Sequence, residues 1–150
     1  MAEYDFDVFA KSGIDPVPDA VIYGIGSGIL SYSAASELEE WMIENRHIEG
    51  SPDVLAADNA SEALDALHNA GYEDAGSGCD ILRYAILASL EEDDPELFSK
   101  IEGVYADFGY PKDMEQCIYY MPVSEGDSTP EGLSKRFADF LDSEKSRLGL

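Results

Sequence analysis

The sequence predicts an all-α protein, a single compact domain over residues 1–150 made of roughly seven or eight short-to-medium helices with no substantial sheet. Three observations predict it. Apolar residues recur at the three-and-four spacing of a buried helical stripe in most segments. Glycines and prolines punctuate those segments at the positions where helices stop and start. No alternating apolar and polar run of useful strand length occurs. With 150 residues, 45% of them hydrophobic, the chain can bury one sizeable core, and its length fits one domain rather than two.

The first segment, Tyr4 to Lys11, places Phe6, Phe9 and Ala10 at helical spacing and meets Gly13, a helix stop. Asp15-Pro16-Val17-Pro18 reads as an extended entry, because each proline biases the preceding residue away from helix. A second helix then starts near Pro18, carries Val21, Ile22 and Ile25 on one stripe, and ends among Gly24, Gly26 and Gly28. Ser31 or Ser33 caps the third, whose stripe is Ala34, Ala35, Leu38, Trp41 and Met42. Glu37, Glu39, Glu40 and Glu44 are expected off that stripe, as an acidic solvent face.

Ser51-Pro52 opens a short turn of helix through Val54 and Leu55, and Asn59 followed by Glu62 resembles a capping box ahead of Leu64, Leu67 and Ala70. Gly71 closes that helix, and 73–78 is a loop of turn residues. From Cys79 to Leu90 the chain is apolar nearly all round, which predicts a central helix. Asp94-Pro95-Glu96 starts the next, with Leu97, Phe98, Ile101, Val104, Tyr105 and Phe108 as its stripe and Gly109 as its stop. A short helix from Lys112 to Tyr119 ends before Pro122 and the turn-rich 124–128. Thr129-Pro130-Glu131 starts the last helix, with Leu133, Phe137, Phe140 and Leu141 on one face.

Charge bounds the function more tightly than composition does. The chain has 32 Asp and Glu against 9 Lys and Arg, a net of −23. Residues 1–82 hold 17 acids and 2 bases (Lys11, Arg46), a net of −15, and residues 83–150 hold 15 acids and 7 bases, a net of −8. Such a surface repels phosphate at the range where steering operates, which argues against nucleic acid and anionic membrane and for a basic protein as partner. Salt adaptation is the competing explanation of the acidity. No apolar run approaches the ~18 residues of a membrane span, and the N-terminal MAEYDFDVFA is acidic where a secretory signal is basic, so a cytoplasmic location is expected.

Residues that suggest chemistry fail on context. Gly24-Ile25-Gly26-Ser27-Gly28 lacks both the third glycine of a dinucleotide loop and a preceding strand, and reads as a helix end. Glu44 and His47, with Asp65 and His68, put an acid and a histidine one turn apart on two helices, half of a di-iron carboxylate set. Such a site needs long helices and two further inward carboxylates, and His47 lies at a helix end. No serine sits in a nucleophile elbow, and 91–94 does not match a calcium loop. Cys79 and Cys117 are isolated and read as reduced, buried thiols. No enzyme activity, metal or cofactor is assigned on these residues.

The most distinctive stretch runs from Val104 to Met114 and continues at Tyr119-Tyr120-Met121-Pro122. Its interleaved aromatics, methionines and acids suit a partner surface, but Tyr105 and Phe108 also complete a core stripe, and Gly109 and Pro111 shape a corner between helices. This stretch, Tyr105 to Phe108, Tyr110-Pro111, Asp113-Met114 and Tyr119 to Pro122, resembles the YADF-x-YP-x-DM and YYMP signature of a family of small helical bacterial proteins. The helix-glycine-helix pattern from Ile22 to Glu44 is similar to that family's N-terminal half. The resemblance implies kinship with immunity proteins of polymorphic or contact-dependent toxin systems, which bind a toxin domain and block it.

The function expected is therefore an immunity protein that neutralises a basic, nuclease-like toxin domain by occlusion, with Glu37, Glu39, Glu40, Glu44, Glu49 and Asp53 as partner contacts. The alternatives are a metal enzyme using Glu44, His47, Asp65 and His68, and an acidic adaptor with no toxin partner. Oligomeric state is not legible.

Overall fold

The structure, a computed structural model, describes residues 3–118 and 130–150. The Tyr119–Pro122 part of the signature, the turn-rich 124–128 and the Thr129 helix start lie outside the described residues. Among the described residues eight α-helices follow in order: α1 (Val8–Ser12), α2 (Pro18–Ser27), α3 (Ser33–Arg46), α4 (Pro52–Ala56), α5 (Ala60–Asn69), α6 (Gly78–Ala88), α7 (Leu97–Asp107) and α8 (Pro130–Leu148). A 3₁₀ helix, Lys112–Cys117, lies between α7 and the undescribed segment. Among the described residues there is no strand, only an isolated parallel bridge between Tyr4 and Leu30. None of the described helices is long and apolar enough to cross a membrane.

The stops and starts fall where local chemistry puts them. Gly13 and Gly28 both take the left-handed conformation at φ 79° after α1 and α2, a conformation that only glycine adopts without strain. α2 enters from an extended Val17 (φ −119°, ψ 142°), as the flanking prolines require. The Asn59 side chain accepts the Glu62 amide at 2.9 Å, and Glu62 returns the favour one residue further back than a capping box does, accepting the Asp58 amide at 3.0 Å.

Three boundaries differ from expectation. α1 is shorter than Tyr4 to Lys11, and Tyr4 is tied elsewhere, its amide donating to the Ile29 carbonyl (2.8 Å) and its hydroxyl to Asp107 (3.1 Å). α7 starts at Leu97, since Asp94 caps a preceding turn by accepting the Glu96 amide at 2.8 Å. The segment after Pro111 is 3₁₀ rather than α.

α6 is the central helix, packed against α1, α2, α7 and α8. Leu82, Ala85, Ile86 and Leu87 are wholly buried, as a helix apolar nearly all round demands. Two glycines permit the close approach of α2 to its neighbours. A Cβ on Gly24 would stand 2.5 Å from Leu30 Cδ1 and 3.0 Å from Leu82 Cδ2, and one on Gly78 would stand 2.2 Å from the Asp19 carbonyl oxygen. Gly24 therefore serves packing, not phosphate binding.

The same core holds an ionic knot. Arg83 of α6, 4% exposed, donates two hydrogen bonds to Asp113 and one to Glu144 of α8, all at 2.9 Å, and its guanidinium lies 5.4 Å from the Phe140 ring centre. Arg147 closes the knot against Glu144 and Asp80. Asp113 and the buried Met114 belong to the 104–114 stretch, so that part of the signature ties the C-terminal helix to the central one. Tyr105 is buried and meets Tyr110 edge-on at 5.3 Å, while Phe108 stacks on Tyr23 at 6.3 Å. Of these aromatics only Tyr110 projects, held by a left-handed backbone at φ 58°.

Candidate functional site

The surface with the most one-signed chemistry is made by α3, the linker after it, α4 and α5, which pack on one another. Between residues 37 and 65 the chain carries Glu37, Glu39, Glu40, Glu44, Glu49, Asp53, Asp58, Glu62 and Asp65 and a single Lys or Arg, Arg46. Arg46 is committed elsewhere: its guanidinium lies 5.1 Å from the Trp41 ring centre and pairs with Asp15 at 3.3 Å. Trp41, expected in the buried stripe, is only half-buried.

Of the six expected contact residues, Glu37, Glu40, Glu44, Glu49 and Asp53 are exposed. The Glu37 carboxyl is held above its ordinary value by partial burial first and then by the like charges of Asp5, Glu40 and Asp7. Glu39 is a correction. It was expected on the solvent face and is instead buried, 1% exposed, with Oε1 accepting the Tyr72 hydroxyl at 2.8 Å. Its spacing from Ala35, Leu38 and Met42 is that of the stripe itself, and helical period overrode residue type.

Two clefts open on this surface. Asp53, Glu62 and Asp65 line one of about 360 Å³ between α4 and α5, floored by Ala56, Ala57 and Ala66. Glu39, Ile48, Gly50, Ser51, Ala70 and Tyr72 line the other, of about 370 Å³. Beside α3, Phe6, Phe9, Ile14 and Trp41 make an apolar groove lined also by Asp7 and Asp15.

The chemistry weighed for catalysis does not assemble. Glu44, His47, Asp65 and His68 are all exposed, and among the described residues no three His, Cys, Asp or Glu side chains group to hold a metal ion. Cys117 is buried, with its thiol pushed up to about 12 by burial. Cys79, expected buried, is half-buried near the start of α6. The buried Arg83 and Glu144 were missed from the sequence. The signal was available: α6 has almost no polar face for Arg83 to occupy, and Glu144 falls four residues after Phe140 and seven after Phe137, on the α8 stripe.

The fold and this surface stand within a wider group. A family described as an uncharacterized protein conserved in bacteria, DUF2247, matches residues 6–145. The chain belongs to that family. The DUF2247 match runs from α1 through most of α8 and so takes in the acidic surface and the ionic knot together. The description names no activity. No curated protein and no solved structure gives a significant match.

Proposed function

We propose that this DUF2247 protein is an immunity protein, which binds a basic, nuclease-like toxin domain in the cytoplasm and blocks it by occlusion. The observation that carries the reading is the α3 to α5 surface, where exposed carboxylates gather and the one Arg is turned onto Trp41 and Asp15. A nuclease must hold phosphate and is therefore basic where it acts, so a surface of carboxylates competes for the same ground. Charge complementarity of this kind raises association toward ~10⁸–10⁹ M⁻¹s⁻¹ at low salt. Occlusion needs no catalytic group in the inhibitor, only a surface that covers the toxin's site.

The test is co-expression with the product of the neighbouring upstream gene. Under this reading that product, or its C-terminal domain, is lethal alone and harmless with the chain, and the purified pair associates more slowly as salt rises. Glu40→Lys with Glu44→Lys and Asp53→Lys removes protection while the variant still folds. A product harmless by itself, or protection untouched by the triple charge reversal, would overturn the proposal. Stability measured against salt addresses the competing origin of the acidity, because a salt-adapted chain unfolds at low salt.

A further inference from the structure

The buried Glu39 carboxylate is short of compensation. Among the described residues its one hydrogen bond comes from a neutral donor, the Tyr72 hydroxyl at 2.8 Å, and no Lys, Arg or His pairs with it. The contrast within the same chain is Glu144, also buried, which has two guanidinium partners. A carboxylate taken out of water keeps its charge only with hydrogen bonds or a counter-charge supplied in place of water. Glu39 lies at the floor of the 370 Å³ cleft between the linker after α3 and the end of α5, where Gly50 brings backbone close enough that its Cβ would stand 3.9 Å from Glu39 Cγ. Ile48, 38% exposed, stands at the rim, an apolar surface for an aliphatic stem. The exposed Glu40, Glu44 and Glu49 surround this region in sequence and supply a field that draws cations in.

We propose that this cleft receives a Lys or Arg side chain of the protein partner, its cationic head against Glu39 and its stem against Ile48 and Tyr72. Among the described residues Glu39 is the only carboxylate lining the cleft, so the site suits an organic cation on a stem rather than a metal ion, which needs several oxygen ligands. The assignment rests on the reading that the partner is a basic protein, and it deepens that reading by naming where one cation is desolvated. Such a contact is a central anchor, unlike the screened carboxylates around it.

The test uses butylguanidinium and butylammonium chloride as probes, titrated into the full chain and followed by amide NMR at fixed ionic strength, with sodium chloride as control. Saturable shifts are expected at Ile48, Gly50, Ala70 and Tyr72. Glu39→Gln, which retains an oxygen acceptor for Tyr72, is expected to fold as well as the parent and to weaken probe binding about tenfold or more. Tyr72→Phe removes the Tyr72 donor and leaves the carboxylate, so it is expected to bind the probe more tightly. Absence of saturable shifts in the parent chain, or equal binding by Glu39→Gln, would overturn the assignment. Because no toxin is present, the two readings fail separately. A protective chain whose cleft ignores the probes refutes only the cleft, and a cleft that binds them in a chain that protects against nothing refutes only immunity.

Discussion

Replacing Arg83 by Met should be among the most damaging single changes in this protein. The Arg83 side chain is 5% exposed and holds Glu144, 7% exposed, across the α6 to α8 contact. Removing one partner of a buried ion pair destabilises by about 3–5 kcal/mol, because the other charge is left uncompensated. Two features place this site near the lower end. Glu144 keeps Arg147, and Asp113, with its side chain 49% exposed, can turn to water. Loss of about 3 kcal/mol is therefore expected, a large part of the ~5–15 kcal/mol that holds a domain folded. For a chain of 150 residues this corresponds to a fall of about 6–12 °C in Tm. Urea unfolding followed by circular dichroism reads the change as a lower midpoint at unchanged slope. The double variant Arg83→Met with Glu144→Leu leaves no buried charge at the α6 to α8 contact and should recover part of the loss. A single variant within about 1 kcal/mol of the parent, or a double variant that loses the sum of both changes, would refute the view that Arg83 acts by compensating Glu144.

Three further outcomes follow from the structure. Gly24→Ala and Gly78→Ala should each destabilise by about 1–3 kcal/mol through overpacking against Leu30 and the Asp19 carbonyl, whereas Gly26→Ala, with nothing within 4 Å of its Cβ inside α2, should stabilise by about 0.5–1 kcal/mol in the same unfolding assay. Tyr72, raised to about 12 by burial and then by Glu39, and Tyr23, raised to about 12 by its hydrogen bond with Cys79 and then by burial, should ionise late when absorbance near 295 nm is followed against pH. A raised folded value means the folded state holds those protons longer, so stability present below about pH 10 is lost as pH rises toward 12. Burial pushes the Asp113 carboxyl up, but the hydrogen bonds and charge of Arg83 outweigh it and hold it low. Its contribution is present above about pH 4 and lost on further acidification, and Asp113→Asn should flatten that acid limb.

The order of helices was largely legible in the sequence because helix signals are local. Gly13 and Gly28 stop helices, Pro18 and Pro52 start them, and Asn59 caps one, each through backbone geometry or hydrogen bonds reaching only a few residues. The apolar girdle of residues 79–90 likewise announced a central helix, because a helix without a polar face has nowhere else to go. The site was legible in part. Exposure of Glu37, Glu40, Glu44, Glu49 and Asp53 follows from charge and spacing, and the acidic excess before residue 83 marked the half of the chain that carries it.

How the buried acids are compensated was decided by tertiary structure. Glu39 and Glu144 each fall on an apolar stripe, and the stripe turned them inward. Arg147 stands three residues along the same helix from Glu144, but only packing supplied the Arg83 guanidinium to Glu144 and a lone tyrosine hydroxyl to Glu39. Those partners lie 61 and 33 residues away in the chain for the Arg83 and Tyr72 contacts. Residue type and period are written along the sequence, but compensation of a buried charge depends on what the fold brings within 3 Å of it, and no local pattern encodes that distance.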